Sequence, residues 1–332
     1  MTQTFQVEPY EENLVTQNEV FIRLIENIKN TARLDFKKTF LILGETGTGK
    51  EVLANLYSKY SPRKKYLPIN INDIPKELFE SELFGHKKGS FTGAESDKEG
   101  LIESMDSGIL FLDEIGDLPY HLQTKLLRAV REQQIRRVGE SETRNIDVVF
   151  IFATNVDIFK QEKFGKFRED LIYRMGVPTV IPPLRNRKDD IPLLWNYFLQ
   201  SDPSIFDRIS TNPLAIEALK NFDWPGNIAQ LKHIAETVLT DKCIENLSRN
   251  NNDIEIRLED VDKYIYKESP ILSNPESKND CQESYNQAID RFKRSLLSEI
   301  RLKYGNQYKE ICKSLNISKA KYYRECERLK VV

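Results

Sequence analysis

The stretch Gly44-Glu45-Thr46-Gly47-Thr48-Gly49-Lys50-Glu51 constrains this chain more than any other. It follows the apolar run Thr39-Phe40-Leu41-Ile42-Leu43 and opens a helical pattern, so the context is strand, glycine loop, helix. Glycines at Gly44, Gly47 and Gly49 let the backbone turn tightly and aim its N–H groups at phosphate oxygens, where a side chain would block approach. Lys50 then supplies the charge for the β- and γ-phosphates of a nucleotide. The next position usually holds Ser or Thr, whose hydroxyl binds Mg²⁺; here it is Glu51, so the metal must be held in another way.

A second acidic motif supports the first. Gly108-Ile109-Leu110-Phe111-Leu112-Asp113-Glu114 predicts an apolar strand ending in two carboxylates, with Asp113 suited to the metal and Glu114 to polarising a water beside the γ-phosphate. Further apolar runs at residues 66–69 and 146–153 alternate with helical patterns, as at residues 119–132, which predicts an α/β domain with a mainly parallel, doubly wound sheet. Residues 1–15 form a short polar arm, too short for a sensory domain. Residues 16–188 carry the α/β ATPase subdomain, whose first helix has an apolar stripe of Val20, Phe21, Leu24, Ile25 and Ile28. From residue 189 to 268 strand signals vanish and short helices, punctuated by Pro192, Pro213 and Trp224-Pro225-Gly226-Asn227, predict a helical lid. Residues 269–281 are a Ser, Pro and Asn-rich linker, and 282–332 a small all-α domain.

Composition excludes several alternatives. No apolar run approaches the ~20 residues needed to span a bilayer, and the N-terminus lacks a secretory pattern, so a cytoplasmic protein is expected. Cys243, Cys281, Cys312 and Cys326 are unpaired in spacing and have no histidine at ligand distance, which argues against zinc and disulfides. Net charge is −2 for the whole chain, but residues 282–332 hold 12 Lys and Arg against 6 Asp and Glu, a +6 segment on a −8 body. That asymmetry suits a double-stranded DNA-binding end. Within it, residues 308–314 and 318–329 predict two helices joined at Leu315-Asn316-Ile317. Ser318 caps the second, Lys319, Ala320, Lys321 and Tyr323 fall on its leading turns for base contact, and Arg324 and Arg328 are placed for phosphates.

With these motifs in view, the chain resembles the bacterial enhancer-binding proteins, the sigma-54-dependent activators of the AAA+ superfamily, over about residues 20–266. The most specific element is Glu82-Leu83-Phe84-Gly85-His86-Lys87-Lys88-Gly89-Ser90-Phe91-Thr92-Gly93-Ala94, similar to the family's ELFGHxxGAFTGA signature with Ser90 in place of Ala. The resemblance implies that Gly89, Ser90, Phe91, Thr92, Gly93 and Ala94 contact sigma-54. It implies further that Asn70 relays nucleotide state to Glu114 and that Thr154 and Asn155 sense the γ-phosphate. Arg168 and Arg174 match the arginines that reach a neighbouring subunit's site in a ring, a hexamer by family analogy. The stretch from Gly305 to Leu329 resembles the Fis-type helix-turn-helix of the same family, and residues 1–15 leave no room for a receiver domain, so control is expected from a regulatory protein in trans, from a partner subunit or from expression level.

Two departures bear on mechanism. Ala229 stands where the family has a lid arginine that touches the nucleotide, with Lys232 nearly one turn on, and Val149 replaces an arginine before the Ala-Thr-Asn strand end. Arg185-Asn186-Arg187-Lys188-Asp189-Asp190 is family-like and reads as structural. The expected function is an ATP- and Mg²⁺-dependent activator that remodels sigma-54 RNA polymerase from upstream DNA. The alternative is an ATP-responsive DNA-binding regulator with impaired or no hydrolysis.

Overall fold

The computed structural model describes residues 14–36, 39–199, 208–247 and 253–265, all within one compact unit spanning Met1–Lys267. The DNA-contact residues read from the sequence, Ser318, Lys319, Ala320, Lys321, Tyr323, Arg324 and Arg328, lie outside the described residues, as do the linker and most of the N-terminal arm.

The strands of the α/β part are β1 (Thr39–Leu43), β2 (Tyr66–Asn70), a short pair β3 (Gly85–His86) and β4 (Lys98–Glu99), β5 (Ile109–Asp113), a second pair β6 (Gln134–Ile135) and β7 (Arg144–Asn145), β8 (Val149–Thr154) and β9 (Pro178–Val180). Five of them form one parallel sheet in the order β2-β5-β8-β1-β9. Its central strands are continuous apolar runs because helices cover both faces and each face needs alternate residues. Phe40 and Ile42, Ile109 and Phe111, and Val149, Ile151 and Ala153 enter one core layer. Leu41, Leu110, Leu112, Phe150 and Phe152 enter the other.

The first layer is closed by α1 (Glu19–Leu34) and α2 (Lys50–Tyr60). Helix α1 starts where the Asn18 side chain accepts the Phe21 N–H at 3.0 Å, and it ends at Asp35 in the left-handed region, φ 45°. It buries Phe21, Ile25, Ile28 and Ala32, whereas Val20 is 71% exposed, so the expected stripe is rotated away from Val20. The second layer is closed by α3 (Phe79–Phe84), α4 (Leu101–Ser104), α5 (Tyr120–Glu132), α6 (Ile158–Lys163) and α7 (Glu169–Met175). The doubly wound three-layer arrangement is the one anticipated.

The lid comprises α8 (Asp190–Leu199), α9 (Pro213–Asn221), α10 (Asn227–Leu247) and α11 (Leu258–Ile265) around a core of Trp195, Trp224, Leu219, Leu231 and Ile234. Each indole is anchored: Trp195 Nε1 donates to Thr211 Oγ1 at 3.0 Å and Trp224 Nε1 to the Leu219 carbonyl at 2.8 Å. Pro192 begins no loop; it sits in the first turn of α8, where its missing N–H costs no helical bond.

Three expectations need correction. The lid is not strand-free, because β10 (Arg208–Thr211) and β11 (Asp253–Ile256) pair in parallel within it. The run at residues 146–153 becomes a strand only from Val149, with Ile146 and Val148 buried in irregular backbone before it. Residues 14 and 15 are not part of a free arm: Leu14 is buried against α1 and α2, and Val15 packs on the lid core.

Candidate functional site

The glycine loop between β1 and α2 is shaped by its own backbone and by the lid. Gly47 has φ 75° and Gly49 φ 100°, conformations that disfavour any side chain. A Cβ on Gly47 would also lie 2.3 Å from the Gly226 carbonyl oxygen, so the lid backbone approaches as closely as glycine permits. The Gly47 carbonyl accepts the N–H groups of Ile228 at 2.9 Å and Ala229 at 3.4 Å from the first turn of α10. Thr48 is buried, its hydroxyl donating to the Glu45 carbonyl at 2.7 Å.

Lys50, the first residue of α2, is buried, with Nζ 3.3 Å from the Gly44 carbonyl oxygen and 3.4 Å from Glu114 Oε1. Across from it, Asp113 ends β5 and Glu114 follows with φ 54°. A residue held in that region stores roughly 1–3 kcal/mol of strain, and here it aims the carboxylate at Lys50. The Glu114 N–H donates to Asp113 Oδ1 at 2.9 Å. Burial raises the Asp113 pKa, which that backbone hydrogen bond partly offsets.

Asn155 completes this side. Its N–H donates to Glu114 Oε2 at 3.1 Å and its Nδ2 to Thr46 Oγ1 at 2.8 Å, so one residue touches both the carboxylate and the loop. Thr154 beside it is fully buried, and its hydroxyl accepts the Val156 N–H at 3.1 Å. Asn70, at the end of β2, lines the same cavity, but its Oδ1 accepts the Asn72 N–H at 2.9 Å, and Glu114 is held by Lys50 and Asn155.

One cavity of about 750 Å³ brings together Thr46, Gly47, Thr48, Gly49, Lys50, Glu51, Asn70, Asp113 and Glu114. Its apolar lining comes from three places in the chain: Leu14 and Val15, Phe21 of α1, and Leu194, Tyr197, Phe198 and Ile228 of the lid. A glycine-edged loop with a buried lysine beside an apolar lining fits a nucleotide, and Asp113 with Glu51 nearby are carboxylates suited to Mg²⁺. Gly44, Glu45, Thr154 and Asn155 are not among the cavity's lining residues.

The sequence left Glu45 as one loop residue among several, and the structure gives it a specific task. Its carboxylate accepts from Arg185 at 2.8 and 2.5 Å and from Asn227 Nδ2 at 3.1 Å. The Arg185 hydrogen bonds hold the Glu45 pKa below the ordinary carboxylate value. Asn227, with φ 52° and no exposure, also donates to the Thr46 carbonyl at 3.0 Å and accepts the Leu184 N–H at 2.8 Å. Together they latch the lid to the phosphate loop.

Residues 14–181 match the sigma-54 interaction domain, and residues 185–274 match the AAA+ ATPase lid domain. The chain belongs to the sigma-54 interaction domain family. It is 45% identical over 229 residues to the DNA-binding transcriptional activator HyfR of Escherichia coli (strain K12), covering 68% of this chain and 34% of that protein. It is 43% identical over 219 residues to the regulatory protein AtoC of the same organism, covering 64% of this chain and 48% of that one. The chain thus spans between a third and a half of the length of these two relatives. Among solved structures, NtrX from Brucella abortus in complex with ATP superposes with a TM-score of 0.65 at 27% identity, covering 98% of this chain and 71% of that chain.

In this sigma-54 activator homologue the signature loop is a compact turn on a two-strand stem. β3 and β4 pair antiparallel, and the turn closes through the Gly89 N–H to the Ala94 carbonyl at 2.8 Å and the Ala94 N–H to the Phe91 carbonyl at 3.0 Å. Gly89 and Gly93 have φ of 81° and 97°. Phe91 is 41% exposed, its ring edge-on to His86 at 4.9 Å, and Thr92 is exposed beside it. His86 is buried, with Nδ1 2.7 Å from Ser81 Oγ. Ser90 faces the β6–β7 turn, where a Cβ on Gly139 would come within 2.6 Å of the Ser90 Cβ, and the buried Ser90 hydroxyl finds no hydrogen-bond partner.

Arg168 and Arg174 lie away from the cavity of their own chain. Arg168 immediately precedes α7, holds Asp170 through Nε at 2.9 Å and Nη2 at 2.8 Å, and lies 6.0 Å from the Tyr120 ring centroid. Arg174 is exposed in the last turn of α7. Val149 is fully buried in the α1/α2 core layer, so its apolar side chain suits the place it occupies. No helix among the described residues is long and apolar enough to cross a membrane.

Proposed function

We propose that this chain hydrolyses ATP and uses the reaction to remodel sigma-54 RNA polymerase at a promoter while bound to upstream DNA. The observation that carries the catalytic half is the placement of the buried Lys50 ammonium 3.4 Å from the Glu114 carboxylate where the glycine loop lines the cavity. Phosphate oxygens arriving there would draw Lys50 away from Glu114 and free that carboxylate to take a proton from a water in line with the γ-phosphate. Asp113 would hold Mg²⁺, which screens phosphate charge when bound. Asn155 spans Thr46 and Glu114, so loss of the terminal phosphate would be felt at both ends of its hydrogen bonds.

Because Arg168 and Arg174 lie off their own cavity, we assign them to the neighbouring subunit's site in a ring, with a hexamer as the expected assembly. Arginine suits that task because its planar fork stays charged and matches a phosphoryl group. The exposed pair Phe91 and Thr92, on a glycine-bounded turn, would be the surface that meets sigma-54. DNA contact falls to the residues beyond 281, and a regulator in trans would set activity.

The test is ATP-dependent opening of a sigma-54 promoter complex by the purified full chain. Opening is expected with ATP and lost on deleting Thr92 while nucleotide turnover persists. Unchanged opening by the Thr92 deletion would remove the loop from the mechanism. The second reading, a regulator that binds ATP without splitting it, draws on Ala229, which lends the cavity only a methyl group. Phosphate release that Lys50→Ala leaves unchanged would favour it.

A further inference from the structure

The cavity contains a cation that the sequence placed among structural residues. Three side chains lining it are basic: Lys50, Lys232 and Arg187. Lys50 is committed to the phosphate loop, and Lys232 is 56% exposed beside Glu236, at 3.8 Å. Arg187 differs from both. It is 2% exposed, at the junction where the α/β part passes into α8.

Its surroundings tie three parts of the chain together. Nη2 donates to the Thr48 carbonyl of the phosphate loop at 3.1 Å. The guanidinium lies over the Phe21 ring, 4.6 Å from the centroid. Nη1 is 3.8 Å from Asp190 Oδ2, and that carboxylate is occupied by the Thr16 hydroxyl at 2.7 Å and the Gln17 N–H at 2.8 Å. Nε is buried with no partner. A desolvated cation with a donor unused is costly for a fold to keep, and such groups concentrate where a ligand or a mechanism uses them. Burial lowers the Arg187 pKa, which Asp190 partly opposes, yet arginine stays charged even so.

We propose that Arg187 is a nucleotide-positioning residue: by holding the Thr48 carbonyl it orients the phosphate-loop peptide beyond it, and its buried charge serves the phosphates from the lid hinge. The peptide between Thr48 and Gly49 is planar and trans, so fixing its carbonyl on the Arg187 side turns the Gly49 N–H to the opposite side, where phosphate oxygens bind. The charge acts through protein rather than water, which keeps it effective over the short distance to the loop. Ala229 makes this contribution larger, since its side chain ends at a methyl group and it reaches the loop only through its backbone N–H to the Gly47 carbonyl. The proposal rests on the cavity being the nucleotide site.

Calorimetric titration of the full chain with ADP, beside the melting temperature of the nucleotide-free protein, tests it on wild type, Arg187→Met and Arg187→Lys. Losing the charged hydrogen bond should weaken ADP binding about tenfold or more in Arg187→Met, and by at least about threefold in Arg187→Lys, which keeps charge but not the planar fork. At saturating ATP the turnover number should stay within about threefold of wild type while KM rises, because Lys50 and Glu114 are untouched. A purely structural arginine would lower the melting temperature without that KM-selective loss. Folded variants that bind ADP within about twofold of wild type overturn the proposal. Should Arg187→Met fail to fold, Arg187→Lys decides by the same limits. Wild type that binds no ADP would instead sink the nucleotide assignment of the cavity.

Discussion

Replacing Ser90 by alanine should make the signature loop harder to open. The Ser90 hydroxyl is buried without a hydrogen-bond partner, and its Cβ packs where Gly139 leaves room for nothing larger than hydrogen. An unsatisfied buried hydroxyl costs roughly 1–3 kcal/mol, part of which the folded loop recovers through small adjustments. Removing the oxygen while keeping the Cβ should therefore stabilise the docked turn by about 1–2 kcal/mol, or about five- to thirtyfold in its opening equilibrium. The reporters are the Gly89 and Ala94 amides, which close the turn, and the Lys87 amide, which donates to the Val138 carbonyl. Native-state hydrogen exchange should slow at those amides in Ser90→Ala, with little change in global melting because opening is local. Gly139→Ala should act in the opposite sense, since its Cβ would press on Ser90 and its φ is 77°. Equal or faster exchange in Ser90→Ala, or protection retained in Gly139→Ala, would refute the docked-loop account.

Further predictions concern the latch and the frame. Asn227→Ala removes hydrogen bonds to Glu45, Thr46 and Leu184, and should loosen the lid by roughly 2–4 kcal/mol, read as a lower urea midpoint and weaker ADP binding; an unchanged midpoint contradicts it. The Glu45 pKa is lowered in the fold, so the stability it lends is present above the ordinary glutamate pKa and is lost as pH falls through the lowered folded value. The melting difference between wild type and Glu45→Gln should accordingly be largest near neutrality and close in acid, and a difference independent of pH would count against the latch. Arg63 sits with its side chain 7% exposed against Asp35 at 2.7 Å and Asp147 at 3.0 Å. Arg63→Met should cost about 1–3 kcal/mol in chemical denaturation by removing charged hydrogen bonds to carboxylates that are 28% and 53% exposed, and a loss under about 0.5 kcal/mol would show the pairs to contribute nothing.

The parts legible in sequence were those whose information is local. The phosphate loop announces itself because glycine positions, strand and helix are contiguous, and β1 spans the residues expected of it. β2 runs one residue past the expected end, onto Asn70, and β5 ends on Asp113, the first of the two expected carboxylates. The acidic pair at the end of β5 was legible for the same reason. Strand β9 escaped because three residues headed by a proline carry no period, and only an edge position tolerates that proline. The pairs β3–β4 and β6–β7 are shorter still, and β10 and β11 find each other across α9 and α10. Val20 misled because a wide apolar stripe does not say which edge faces solvent. The latch of Glu45, Arg185 and Asn227, and the seat of Arg187 on Thr48, join residues far apart in the chain, so no spacing rule could pair them. Reading the 185–190 run as structural was therefore half of the matter: Asp190 does tie down the N-terminal segment, while Arg187 lines the cavity.

The most direct measurement is phosphate release from Mg·ATP by the purified full chain, wild type against Glu114→Gln, with ADP binding measured on both. If Glu114 activates the attacking water, the variant should retain ADP affinity and lose at least about a hundredfold in turnover. Equal turnover in the two proteins would place the hydrolytic base elsewhere, and no turnover in the wild type would leave the chain without the motor assigned to it.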